Sequence, residues 1–361
     1  MMFKNIKRIT ALVLAIALCF VFAGCHKKGE TALEVAYENY TDKFTSGFYA
    51  CALLYADMEG QQKVSETATE EQLSSADFNY LEQKIDGKDY SVWVKERAIQ
   101  ICKEVFAYKV MCEKNKVATA DTLASAAQMA DSYWSSYYSE MMVPNGVGLE
   151  SFKAYTEYQE YATAYFNYLY AKDGVKEIPA KEVEKFLKEK YAYVNVLSVD
   201  ISSLKEEEIE EKQKEFKKYL GRLNKGENFG KIYAEVNDST YTANKKDEGI
   251  FNNDTATVWG AKGTTYENDY YNNVVGLKKG QAKIFTTDDD NGKYIILVVK
   301  GDIMQEGNTY LETLKDNVRH ELKDDEFKAE MSEVIKKVTH AEIKRATKPF
   351  KVDKIVYPQY Q

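Results

Sequence analysis

The sequence predicts an α+β fold, mostly helical, with one small sheet in its middle. Three observations carry that expectation. Apolar residues recur at spacings of three and four over long segments on both sides of the centre. Only four prolines occur in 361 residues, and no Pro/Gly/Ser-rich linker separates the parts, so long helices meet few breakers. Between the helical segments, residues 193–199 and 294–299 are dense in β-branched and aromatic residues, as strands are.

The first residues read as a targeting segment. Lys4, Lys7 and Arg8 precede an apolar run, residues 9–22, that is too short to span a bilayer comfortably. Phe22-Ala-Gly-Cys25 resembles a bacterial lipobox, whose cysteine is lipidated and becomes the new N-terminus. Residues 1–24 are then a lipoprotein signal peptide and residues 25–30 a lipidated tether, held by two acyl chains. Removing three positive charges with the signal moves the net charge from −8 to −11. Such an acidic extracytoplasmic chain has no electrostatic reason to bind nucleic acid. Like charge also turns it away from an anionic membrane surface, leaving the lipid to hold it there. Cys102 and Cys112 stand about 15 Å apart on one helix, too far to bridge. Three buried thiols, with Cys51, are expected, and a pair involving Cys51 stays open.

Along the mature chain, residues 31–58 give a helical pattern through Val35, Tyr40, Phe44, Phe48 and Leu54, and residues 59–70 a loop. A helix starts at Asp89 or Ser91, with Val94, Ala98, Ile101, Val105, Tyr108 and Cys112 as its buried stripe. Another covers residues 122–138, and Pro144-Asn-Gly-Val-Gly148 breaks the chain. Residues 150–172 form the most aromatic helix. Phe152, Ala162, Phe166 and Leu169 mark one face, and Tyr158, Tyr161, Tyr165 and Tyr168 an adjacent one. That arc suits either core packing or a client-binding surface. Pro179 opens a short helix that leads into the first strand.

In the middle segment, Ser203-Leu-Lys-Glu206 reads as a capping box, and Ile209, Phe216, Leu220 and Leu223 as the stripe of the helix it starts. Gly226 ends that helix, and a second short one follows at Phe229. The last strand is apolar on both faces, which implies cover on both sides. Asp288-Asp-Asp290 with Asn291-Gly292 reads as a hairpin turn, since it lacks the spaced ligands of a calcium loop. A helix from Leu311 to Leu322 breaks near Asp324-Asp325 and continues to Val338, and residues 352–356 suggest a short strand or extended segment.

The order of Tyr193-Val-Asn-Val-Leu-Ser-Val199, Lys225-Gly-Glu-Asn-Phe229, Asp247-Glu-Gly-Ile-Phe251, Gly276-Leu-Lys-Lys-Gly280 and the final strand resembles a parvulin-type prolyl isomerase domain over residues 190–302. The flanking helices, residues 31–189 and 303–361, are similar to the chaperone lobe of the PrsA and SurA families of extracytoplasmic foldases. The resemblance implies a four-stranded antiparallel sheet with helices, inserted into a helical lobe built from both ends of the chain. It places Asn195 and Tyr294 where parvulins carry two histidines, and Ser239, beside Asp238, at the Cys/Asp position. Tyr266, Tyr270 and Phe251 fall in the proline pocket. Gly249 keeps one glycine of a family turn in which Lys245 and Lys246 replace others.

Prolyl isomerisation needs no nucleophile, because its barrier is amide resonance and is lowered by binding the twisted imide. A site without histidines implies weak or absent turnover. The resemblance therefore implies a lipid-anchored chaperone or foldase on the outer face of the bacterial cell membrane, with unfolded or nascent secreted polypeptides as partners. The rival is a cell-surface or solute-binding lipoprotein. His26, His320 and His340 have no metal-ligand spacing, and no phosphate loop or Ser/His/Asp set is visible, so no metal or cofactor is expected.

Overall fold

The computed structural model describes residues 29–75, 77–242, 249–289 and 292–358. The signal segment with Cys25, residues 245–248 and the turn at Asp290-Asn291 lie outside the described residues. The main elements begin with strands β1 (Thr31–Tyr37) and β2 (Tyr40–Thr45) and helices α1 (Ser46–Ser65), α2 (Tyr90–Asn115), α3 (Ala120–Tyr133) and α4 (Leu149–Tyr170). Next come α5 (Ala180–Lys190), β3 (Tyr191–Asp200), α6 (Glu206–Leu223), α7 (Phe229–Val236), β4 (Ala256–Gly260), β5 (Ala282–Asp289) and β6 (Gly292–Lys300). Helix α8 (Leu311–Ile335), strand β7 (Thr339–Glu342) and the one-turn helix α9 (Lys344–Thr347) follow. Two compact units result: Tyr170–Asp325, and a flanking unit of the residues before and after it.

In the flanking unit a three-stranded antiparallel sheet has the order β2-β1-β7, so its central strand pairs with both ends of the chain. This corrects the helical expectation for residues 31–45. Val35, Tyr40, Phe44 and Phe48 fit both periods, and pairing of Val35 with His340 and of Leu33 with Glu342 favours strand. Helix begins only at Ser46, where the Thr45 hydroxyl accepts from the Phe48 N–H (3.3 Å). It continues to Ser65 through the stretch read as loop, because Gln61 to Asp57 and Gln62 to Glu66 bonds support its polar turns.

Helices α1 and α2 pack closely. A Cβ at Gly60 would stand 3.1 Å from the Tyr90 ring, so a glycine lets the two backbones approach. The Tyr90 hydroxyl donates to buried Asp57 (3.0 Å to Oδ1), and the Tyr357 hydroxyl donates to Oδ2 of the same carboxylate (2.7 Å). The expected stripe of α2 is buried at Val94, Ala98, Ile101, Val105 and Cys112, while Tyr108 stacks on Phe327. Cys51, Cys102 and Cys112 are buried free thiols, and burial pushes Cys112 up to about 12.

On α4, Phe152, Tyr155, Tyr165, Phe166 and Leu169 are buried. Tyr158 is half-buried against the Phe44 and Phe48 rings (5.3 and 5.4 Å). Of the tyrosine face, Tyr165 is buried and Tyr158, Tyr161 and Tyr168 are half-buried. Residues 134–138 continue α3 as a π-helical turn. Helix α8 passes unbroken through Asp324-Asp325, since Asp324 pairs with His320 one turn earlier (2.9 Å). Residues 352–354 are a 3₁₀ turn, and Ile355 after it is extended, so part of this stretch takes the extended alternative and none of it a strand.

The other unit holds the four-stranded antiparallel sheet, ordered β4-β3-β6-β5. Asp288 and Asp289 pair with Lys293 and Gly292 at the end of β5 and the start of β6. Helix α6 starts at Glu206, not at Ser203. The Glu208 carboxylate accepts from the Lys205 N–H (2.9 Å), so the cap lies two residues beyond the predicted box. Residues Ile295 to Val299 of β6 are all buried, as a strand covered on both faces requires.

Asp42 on β2 joins the flanking sheet to two helices, accepting from Lys109 Nζ of α2 (2.6 Å) and from the Tyr158 hydroxyl of α4. Burial opposes its charge, but the bonds from Lys109 and Tyr158 prevail and hold its carboxyl below the ordinary 3.8. A depressed folded value contributes stability that is present above the unfolded value and lost as pH falls through the folded one. We expect Asp42→Asn to lower unfolding stability at neutral pH by about 1–3 kcal/mol. The gap from wild type should shrink in acid. Urea melts at neutral and acid pH test both, and equal stability at neutral pH would refute the role.

Candidate functional site

A strand presents alternate side chains to opposite faces. In β3, Tyr191, Tyr193, Asn195 and Leu197 share one face, and Ala192, Val194, Val196 and Ser198 the other. Asn195 is fully buried. Its Oδ1 accepts from the Asn252 N–H (2.8 Å), and its Nδ2 donates to Asn252 O (2.6 Å) and Thr255 Oγ1 (2.9 Å). On the same face Tyr193 packs on Phe251, ring centroids 5.0 Å apart, and Phe251 is only 1% exposed. A Cβ at Gly301 would meet Phe251 at 2.7 Å, so only glycine fits there.

Tyr294 lies on the opposite face. Register pairs Asn195 with Val299 and Tyr294 with Asp200. The two positions are therefore five residues apart along β3, about 17 Å, and of opposite parity. The structure does not bring them together, and no hydrogen bond between them is feasible. Ser239 is exposed in the turn after α7, its N–H donating to Ala234 O (2.8 Å). Tyr266 is half-buried between the rings of Tyr191 (6.4 Å) and Tyr310 (6.1 Å). Of the six residues singled out from sequence, only Tyr270 and Tyr294 share a surface. Asn195 and Phe251 are buried on the other face.

That surface is aromatic. Tyr270, Phe285, Tyr294 and Val196 are half-exposed and pack over buried Trp259, Ile296 and Val298. The Tyr270 ring stands 6.0 Å from Trp259 and 5.9 Å from Phe285. Its hydroxyl donates to Asp289 Oδ2 (3.0 Å). Burial, reinforced by Asp289, pushes that hydroxyl's pKa up, so it remains a donor at neutral pH. Lys283 Nζ lies 5.8 Å over the Phe285 ring. The face carries hydroxyls, one carboxylate and rings, but no imidazole. It suits holding an apolar ring better than moving protons. Sequence reasoning missed Trp259, Phe285 and Val196. Alternation within Ala282–Asp289 was the available signal, because it puts Phe285 with Thr287 and Asp289.

The flanking unit carries a separate cleft of about 420 Å³ among α1, α2 and α4. Tyr55 and Tyr155 stack on one wall (4.8 Å, 4°), and Arg97 bridges Glu59 (2.7 Å) and Glu104 (2.8 Å) across another.

Asn195→Ala should cost about 1–3 kcal/mol by stranding the Asn252 backbone groups. It should leave the surroundings of the Tyr270 ring unchanged. Denaturant melts with NMR shifts of the tyrosine rings check this; a stable variant with altered Tyr270 shifts would contradict it.

No protein-family model matches the chain, and no curated protein matches it. Among solved structures the chain is similar to the crystal structure of foldase protein PrsA from Lactococcus lactis, with TM-score 0.39 and 13% identity over 70% of this chain and 86% of that one. It is similar to foldase protein PrsA from Streptococcus pneumoniae, with TM-score 0.37 and 12% identity over 67% and 83%. It is also similar to the peptidylprolyl isomerase PrsA from Bacillus anthracis, with TM-score 0.25 and 18% identity over 66% and 96%.

Proposed function

We propose that this chain is a lipid-anchored extracytoplasmic foldase that holds secreted polypeptides, with a parvulin-like unit that binds proline segments and turns them over weakly or not at all. The observation that carries this reading is the open face formed by Val196, Tyr270, Phe285 and Tyr294. Proline-rich backbone is extended and pre-ordered, and it docks well on aromatic surfaces. Such a face binds the segment without needing a base.

Lowering a resonance barrier requires tighter binding of the twisted imide than of either planar isomer. A half-exposed shelf provides little desolvation, and neither Asn195 nor Ser239 is on it. Binding with little catalysis follows. The lipobox ending in Cys25 supports anchoring, and a unit assembled from both ends of the chain around an inserted one supports the foldase reading.

The test uses NMR exchange on an Xaa-Pro peptide. Isomerisation, which takes tens of seconds unassisted, should be accelerated less than about tenfold. The peptide should shift the Tyr270 and Tyr294 resonances, and Phe285→Ala should weaken binding about fivefold or more through lost ring contact. A peptide that perturbs neither ring would sink the binding assignment. Failure of the protein to suppress aggregation of an unfolded substrate would sink the chaperone assignment.

A further inference from the structure

The chain's acidity is not spread evenly. Residues 344–354 carry Lys344, Arg345, Lys348, Lys351 and Lys354 against the single acid Asp353. Their folded setting is one-sided. Ala346, Thr347 and Val352 are buried, while all five cations are exposed. Among the described residues, Lys344, Lys348, Lys351 and Lys354 make no ion pair.

This basic ridge begins where the chain emerges toward Cys25. The Ile343 N–H donates to Ala32 O (2.9 Å), Arg345 Nε pairs with Glu30 (2.5 Å), and the Ser46 N–H donates to Glu30 O (2.7 Å). Cys25 is four residues before Gly29, a reach of at most about 14 Å. Lys27 and Lys28 fall within that stretch.

We propose that the ridge of residues 344–354 is a contact surface for anionic lipid headgroups. This rests on the reading of Cys25 as a lipid anchor. An anchor there holds the Glu30 end within a short tether of the bilayer. Cations so placed are attracted by an anionic leaflet over roughly a Debye length, about 8 Å. The rest of the chain, acidic on balance, is repelled. The ridge therefore sets which side of the flanking unit faces the membrane. It reverses locally the repulsion that net charge alone implies.

The test uses the chain from residue 25 onward with Cys25→Ser, which keeps every described residue. It is sedimented with vesicles of phosphatidylcholine alone and of phosphatidylcholine with phosphatidylglycerol, at low and high salt. Binding is expected only to the anionic vesicles and only at low salt. Lys344→Gln/Lys348→Gln/Lys351→Gln/Lys354→Gln should weaken it at least about tenfold, with an unchanged melting curve. Replacing the same four lysines by arginine should preserve it. Equal binding to neutral vesicles, or a glutamine variant that binds like wild type, overturns the proposal. So does displacement by inorganic polyphosphate at lower phosphate concentration than the lipid, which assigns the ridge to a soluble polyanion. Mass spectrometry of the Cys25 peptide from membranes is a separate measurement. An unmodified Cys25 there refutes the anchor and leaves the vesicle result to be read by itself.

Discussion

The burial of Asn195 sets what the inserted sheet shows to solvent. Its amide is fully enclosed, and both ends are bonded to the segment Asn252 to Thr255. Shifting β3 by one residue would expose those bonds and turn every side chain of the strand over. Leaving an enclosed amide unsatisfied costs more than a typical bonded one contributes. The position of one polar side chain therefore fixes Val196 on the outer face, beside Phe285 and Tyr294. The same device that stabilises the sheet selects which side chains its outer face presents.

The flanking unit depends on closure from a distance. Strand β1 lies between β2, its immediate neighbour in the chain, and β7, which follows the whole inserted unit. The tail that follows β7 returns to α1, where Tyr357 and Tyr90 share the Asp57 carboxylate. Asp42 does similar work at the other edge by joining β2 to α2 and α4. Both are carboxylates at junctions where three segments meet.

Much of this was legible in the sequence, and the failures have physical causes. Helices α2, α4 and α6 and the strands β3 and β6 were read from local periodicity, because their apolar stripes repeat within each element. Strands β1 and β2 were misread because their apolar spacing also fits a helix, and the strand that decides for the sheet comes 303 residues later, at the Ala36–Thr339 contact. The predicted break in α8 failed because Asp324 is satisfied within the helix by His320. For the candidate site, motif order named Tyr270 and Tyr294, which lie over one face of the sheet, and Asn195, which strand parity puts on the other; order along the chain carries no information about which face a strand residue takes.

Closure by β7 has a consequence for the order of assembly. The pairings of the inserted sheet all fall within residues 191–300, whereas the flanking sheet needs residues 339–342. During synthesis from the N-terminus, β1 must wait with its β7 edge open until nearly the whole chain has been made. Once the inserted unit folds, it brings Tyr170 and Lys323 together (5.9 Å from Nζ to the ring) and shortens the loop that remains to be closed. The chain thus passes through a period as an incomplete fold, with an unpaired strand waiting for its last partner.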